Sequence, residues 1–211
     1  MHLAEPGRVA APAGPAPPGC ATMAWVDEQA LPVRDLLAGY QPRGEIEEAD
    51  VERVRKLLDV AGDPWLRSIP LHVTASALIV HPGSGRVLLR WHQRQQAWLQ
   101  VGGHGDPGEI APLAVALREG REETGLADLA PWPDASLRHV VIVSVPEGHG
   151  EPAHEHADLR FFLATGTPES IVPENPSAAL RWLTPAGAHA FTSEPNLRET
   201  LARALAAGLR S

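Results

Sequence analysis

Three glutamates in helical register constrain this chain more than any other feature. Glu119, Glu122 and Glu123 stand at offsets of zero, three and four within GGHGDPGEIAPLAVALREGREETGL, residues 102–126, so on a helix their carboxylates share one face. Glu119 and Glu123 are a like-charge i,i+4 pair, unfavourable in an isolated helix, and a cation held between them offsets the repulsion. Oxygen-only ligands select Mg²⁺, with Mn²⁺ as the alternative. Pro112 suits a first helical turn and Gly125 a left-handed stop, which predicts a helix over residues 112–124. Leu113, Ala116, Leu117 and Gly120 form its apolar stripe, and the small residues allow close approach to a sheet. Arg118, four residues before Glu122, pairs with that carboxylate and orients it toward a metal. Gly102 and Gly103 let the preceding loop bring backbone carbonyls near the same helix, which makes Gly102 a further ligand candidate.

The scaffold around this stretch must be globular. With 211 residues, 44% of them hydrophobic, the chain can bury a full core. A net charge of −8 argues against a nucleic-acid polymer or an anionic membrane as partner, while a small phosphate ester held through a metal stays compatible. The single cysteine, Cys20, cannot form an internal disulfide, which fits a reducing cytoplasm. The proline-broken start lacks the apolar segment of a signal peptide, and no run of about 18 apolar residues offers a membrane span.

Residues 1–22 are Ala-, Pro- and Gly-rich, with too few large apolar groups to offset the entropy of ordering, and read as a disordered tail. Met23 opens a segment of different character and is an alternative translation start. Helical spacing follows from Trp25 to Leu66, with Leu31, Leu36 and Leu37 in one segment and Val51, Val54, Leu57 and Leu58 in another. The acids of Glu45–Glu52 read as a helix N-terminus rather than a binding site. LHVTASALIV, a turn at HPGSG and RVLLRWH predict a hairpin, and AWLQV a short strand running into Gly102. LRHVVIVSVP, DLRFFLAT and ALRWL are further strands, with the polar stretch EGHGEPAHEHA between the first two. Thr184–Pro185 and Ser193–Pro195 open two final helices, the second presenting Leu197, Leu201, Leu205 and Leu209 on one side. This interleaving predicts an α/β (α+β) sandwich with a mixed β-sheet. Arg90, His92 and Arg94 could hold substrate phosphate, although a solvated strand end is the simpler reading, and Trp91 and Trp98 could stack on a base or pack internally. His154 and His156 alternate on an extended chain with Glu151, Glu155 and Asp158 nearby, a spacing that can chelate a metal as readily as it can line a polar loop.

Gly103, Glu109, Arg118, Glu119, Glu122, Glu123, Gly125 and Leu126 resemble the box of the Nudix hydrolases: a glycine, a glutamate, then Arg-Glu-aliphatic-x-Glu-Glu-x-Gly-aliphatic. The wider pattern over residues 70–185 is similar to a bacterial subgroup of that family with no assigned substrate. Eight residues rather than seven separate Glu109 from Arg118, which displaces Glu109 from its loop-organising place. Gly120 stands where an aliphatic residue is usual, and Val101 where many relatives have proline. The resemblance implies a Nudix-like α/β/α sandwich over residues 69–211 behind a helical N-terminal extension, residues 23–68.

The activity it implies is divalent-metal-dependent hydrolysis of a diphosphate linkage in a nucleoside diphosphate joined to another moiety. Glu119, Glu122 and Glu123 would hold the metal with Gly102. Glu119 would share base duty, with Arg118 and Glu122 beside it, and Arg90, His92 and Gly103 would contact substrate. A downstream acid, Glu151, Glu155 or Glu174, would complete the site. The resemblance also admits a homodimer, a nucleotide-binding or sensing module without turnover, and isoprenoid diphosphate isomerisation, which needs a site cysteine that Cys20 is poorly placed to supply.

Overall fold

One long strand, β1 (Leu71–His81), supplies the axis of the molecule. The structure is a computed structural model that describes residues 30–148 and 150–210. The expected tail, the start at Met23 and Trp25 lie outside the described residues. Along one edge β1 runs parallel to β7 (His154–Ala164) over ten paired residues, from Leu71↔Glu155 to Val80↔Ala164. Its other edge is shared between two antiparallel partners. Thr74–Ala77 pair with β4 (Val101–His104), and Ile79–His81 pair with β2 (Arg86–His92). β2 also pairs with β3 (Ala97–Leu99) and β8 (Leu180–Leu183), while β7 takes β6 (His139–Val145) and β5 (Ala130–Pro131). One parallel pairing among antiparallel ones makes the sheet mixed, as expected.

The strand alternation of β1 sorts two cores. Val73, Ala75, Ala77 and Ile79 join α1 (Val33–Gly39), α2 (Gly44–Val60) and α3 (Pro112–Thr124) through Leu37, Val51, Val54, Leu113 and Ala116. Leu78 and Val80 join α4 (Pro185–Phe191) and α5 (Pro195–Ala206) through Ala188, Leu197 and Leu201. Helices on both faces give the α/β/α sandwich. Thr184 caps α4 by accepting from the Gly187 amide.

Several expectations shift. Gln100 breaks AWLQV into β3 and β4. β7 begins at His154, inside the polar stretch expected to be a loop, because His154 pairs with β6 and Glu155 to Ala157 find partners on both β1 and β6. Leu205 leaves the stripe of α5 and is 45% exposed, and Glu194 rather than Ser193 stands at that helix's N-cap, with no side-chain cap.

The acidic run of α2 does more than start a helix. Glu47 accepts from the amide of Val140 and Asp50 from that of Ile142, each at 3.0 Å, satisfying free donors on the edge strand β6. Glu47 also meets Arg203 at 2.8 Å, both side chains almost fully buried, and accepts from Tyr40 Oη and the Arg43 amide.

Candidate active site

The glutamate cluster is built where α3 crosses β4. Pro112 opens the helix and Gly125, at φ 71°, ends it in the left-handed region. Leu113, Ala116 and Gly120 are buried against the sheet. A Cβ at Gly120 would stand 2.9 Å from Leu129 Cδ1, so the unusual glycine in the box suits this close approach. Gly103 is needed for a different reason: a Cβ there would lie 2.6 Å from Glu119 Oε1. The strand thus passes the carboxylate with no room for a side chain.

Arg118 organises the acids. Its Nη1 donates to Glu119 Oε1 at 3.0 Å and to Glu122 Oε2 at 2.9 Å. Its Nε and Nη2 donate to Glu109 at 3.1 and 2.9 Å, and Nη2 also to the His104 carbonyl at 2.9 Å. Glu109 in turn accepts from the Asp106 amide at 2.7 Å. The extra residue therefore leaves Glu109 in contact with Arg118; Ile110, which follows Glu109, is 60% exposed.

The carboxyls differ in how well they are served. The hydrogen bond from Arg118 holds Glu109 below its ordinary pKa. Burial pushes Glu119 upward against the opposing pull of Arg118. Glu123, 9% exposed, accepts from the Gly102 amide at 3.0 Å and lies 3.2 Å from Arg90 Nη1. Burial outweighs both partners and pushes its pKa up to about 7. Gly102 thus enters the cluster through its N–H.

Of the expected substrate contacts, Arg90 reaches the cluster, bridging Glu123 to Glu174, the latter at 3.1 Å. Its Nε is buried without a protein partner. His92 and Gly103 instead line a cavity of about 190 Å³ together with Gln100, Asp158 and Arg160. Arg94 is elsewhere, paired with Glu151 at 2.5 Å. Glu155 pairs with Arg53 at 2.5 Å, so among the three downstream acids Glu174 alone comes to the cluster. Trp91 and Trp98 meet edge to face at 5.6 Å.

Two sets of partners escaped the sequence reading: those of Asp158, and the histidines that join His154 and His156. Asp158 is buried and accepts from Ser76 Oγ at 2.9 Å, Thr74 Oγ1 at 3.3 Å and Arg160 Nε at 2.7 Å. His154 and His156 do converge, and His72 and His104 join them: His72 Nε2 lies 3.0 Å from His104 Nε2, and His154 Nε2 lies 3.2 Å from His156 Nε2. Burial lowers the pKa of His104 to about 3 and of His156 to about 4. The signal for both groups was the register of β1 on β7, which sets His72 beside His156 and Thr74 beside Asp158.

In donor type, Glu119, Glu122 and Glu123 suit a hard divalent cation, although their carboxylates do not all lie within 4.8 Å of one another. Their donors are all oxygen, and Glu123 is buried with one amide donor and one guanidinium beside it.

The family model described as NUDIX domain matches residues 70–204, a span that begins after α1 and α2. No curated protein matches the sequence. Among solved structures, a C. elegans Ap4A hydrolase in a binary complex is 18% identical, with 64% of this chain and 95% of that chain covered and a TM-score of 0.50. The E. coli dihydroneopterin triphosphate pyrophosphohydrolase is 22% identical over 62% and 92%, with a TM-score of 0.48. A NUDIX-family hydrolase from Clostridium perfringens is 23% identical over 64% and 95%, also at 0.48. At 18% identity, the first likeness speaks for a shared fold alone.

Proposed function

The chain belongs to the Nudix hydrolase family, and from that premise we propose that it is a divalent-metal-dependent hydrolase cleaving the diphosphate linkage of a nucleoside diphosphate joined to another moiety. The observation that carries this reading is the convergence of Glu119 and Glu122 on one guanidinium nitrogen of Arg118, with Glu123 next along the helix, buried and met by only the Gly102 amide and Arg90. Glu119, Glu122 and Glu123 would hold Mg²⁺, or Mn²⁺ in its place, and Gly102 would add its carbonyl. When bound, the cation neutralises diphosphate charge and makes water a better nucleophile at neutral pH.

The chain's own groups do the rest. Arg118 fixes the directions of the Glu119 and Glu122 carboxylates, and Glu109 fixes Arg118. Glu119, raised by burial, accepts the proton of the attacking water at its carboxylate. Arg90 meets the substrate from the β2 side and Gly103 and His92 from the adjoining cavity. A small nucleotide derivative is the proposed partner, and among the described residues no helix is long and apolar enough to cross a membrane.

The test is a hydrolysis screen over nucleoside triphosphates, nucleotide sugars, ADP-ribose and dinucleotides, with and without Mg²⁺. The wild type is expected to release phosphate-bearing products only with the metal. Glu122→Gln is expected to lose on the order of 10³-fold in rate, a loss typical of removing one charge-stabilising group, while keeping its far-UV circular dichroism. A fully active Glu122→Gln, or binding across the panel with no turnover, would overturn the proposal.

A further inference from the structure

We propose a second metal site, separate from the glutamate cluster, in which His72, His154 and His156 hold a divalent transition metal of imidazole preference, zinc first. One ring nitrogen from each of these residues lies within 4.8 Å of those of the other two. A tetrahedral zinc site with Zn–N bonds of about 2.0–2.1 Å needs its nitrogens about 3.4 Å apart. The 3.2 Å between His154 and His156 is of that size, and His72 lies within 4.8 Å of both.

The tautomers point the same way. His72 Nδ1 lies 2.9 Å from the Ile69 carbonyl and His154 Nδ1 lies 2.9 Å from the Pro152 carbonyl. A carbonyl only accepts, so both Nδ1 atoms carry the proton and both Nε2 atoms present lone pairs. His154 Nε2 thus faces His156 and His72 Nε2 faces His104, each with its lone pair presented by a backbone carbonyl that holds the opposite ring nitrogen, as carbonyls orient metal-binding histidines.

The sheet supplies the rigidity. His72 and His156 are register partners on the parallel strands β1 and β7, and His154 precedes His156 by two residues on the same strand. His104, at the end of β4, stands beside His72 as a fourth imidazole, its Nε2 3.0 Å away. A cavity of about 420 Å³, lined by Arg67, Arg94 and Glu151 as well as by His72, His104, His154 and His156, borders the group and gives an ion a way in. Arg94 faces the same cavity, but its charge is paired with Glu151 at 2.5 Å. Imidazole nitrogens bind Zn²⁺ and hold Mg²⁺ poorly, whereas an all-oxygen site accepts Mg²⁺ supplied in excess, so ligand type and metal supply separate the two sites. This inference stands on the histidines alone and survives a failure of the hydrolase proposal.

The experiment uses the full chain without a polyhistidine tag, stripped with chelator and then dialysed against excess Mg²⁺ to fill the carboxylate site. Zinc alone is titrated in, and bound metal is counted by mass spectrometry. One zinc per chain is expected for the wild type and for Glu122→Gln. His154→Ala/His156→Ala is expected to weaken zinc binding by about 100-fold or more. Co²⁺ added to the wild type keeps the test open if that variant fails to fold, and the intense visible bands of tetrahedral nitrogen coordination are expected. No zinc uptake by the wild type, an unchanged affinity in the folded double variant, or a pale octahedral Co²⁺ spectrum would overturn the site.

Discussion

Two buried glutamates, Glu47 and Glu123, behave as opposites. Glu47 is 3% exposed and Glu123 9% exposed, and burial opposes the charge of both. Glu47 receives two hydrogen bonds from Arg203, two from the amides of Arg43 and Val140 and one from Tyr40. Burial opposes its ionisation, and these donors, Arg203 foremost, reverse the balance and hold its pKa well below the ordinary value. Glu123 has one amide and one more distant guanidinium, and its pKa rises to about 7. The contrast teaches that burial raises a carboxyl's pKa unless enough donors answer it, which separates a structural acid such as Glu47 from Glu123.

The largest expected effect comes from breaking the satisfied pair. Arg203→Met leaves the Glu47 charge buried and uncompensated, and is expected to cost about 3–5 kcal/mol, a fall in melting temperature on the order of 10 °C. Turnover per folded molecule stays unchanged, because Arg203 touches no part of the proposed site. Calorimetric melting beside activity assays checks both halves.

The next effect sharpens the contrast through pH. Glu123 has a folded pKa of about 7 against an ordinary 4.5, so between those values the folded chain holds more protons than the unfolded one. Its contribution to stability is present at low pH and is lost as pH rises through that window, by about 3 kcal/mol at roughly 1.4 kcal/mol per unit. Glu47 has the reverse sign: its contribution is present above about 4.5 and is lost as pH falls through its depressed folded value. In chelator at about pH 8, urea melts are expected to find Glu123→Gln more stable than the wild type, with parity near pH 5. Mg²⁺ is expected to close the gap.

A smaller effect is expected at Gly103→Ala. The added methyl must displace the Glu119 carboxylate, whose Oε1 would be 2.6 Å away, and about 10²-fold in rate is the expected loss. Gly120→Ala comes last. It gains helix propensity but crowds Leu129 Cδ1 at 2.9 Å, and denaturant melts are expected to move by no more than about 1 kcal/mol.

What was legible in the sequence was what is local along the chain. The bounds of α3 follow from Pro112 and Gly125, and three acids at helical spacing stay on one face in any tertiary setting. Glu47 was read as an ordinary helix-start acid, since its partner Arg203 lies 156 residues away. The polar start of β7 was misread because HEHAD carries no apolar alternation. Its place in the sheet follows from a parallel pairing with β1 that no local pattern encodes. His72 and His104 looked like isolated histidines for the same reason, and only the register joins them to His154 and His156.

The claim that Glu119, Glu122 and Glu123 await a cation is tested most directly by titration calorimetry of Mg²⁺ at about pH 6, in two buffers of different ionisation enthalpy. With Glu123 near 7, that carboxyl is mostly protonated under these conditions and must give up its proton to bind metal. The expected result is Mg²⁺ binding that releases close to one proton per ion in the wild type and none in Glu123→Gln. No binding, or binding that is equally tight in Glu119→Gln and Glu123→Gln and releases no proton, would contradict it.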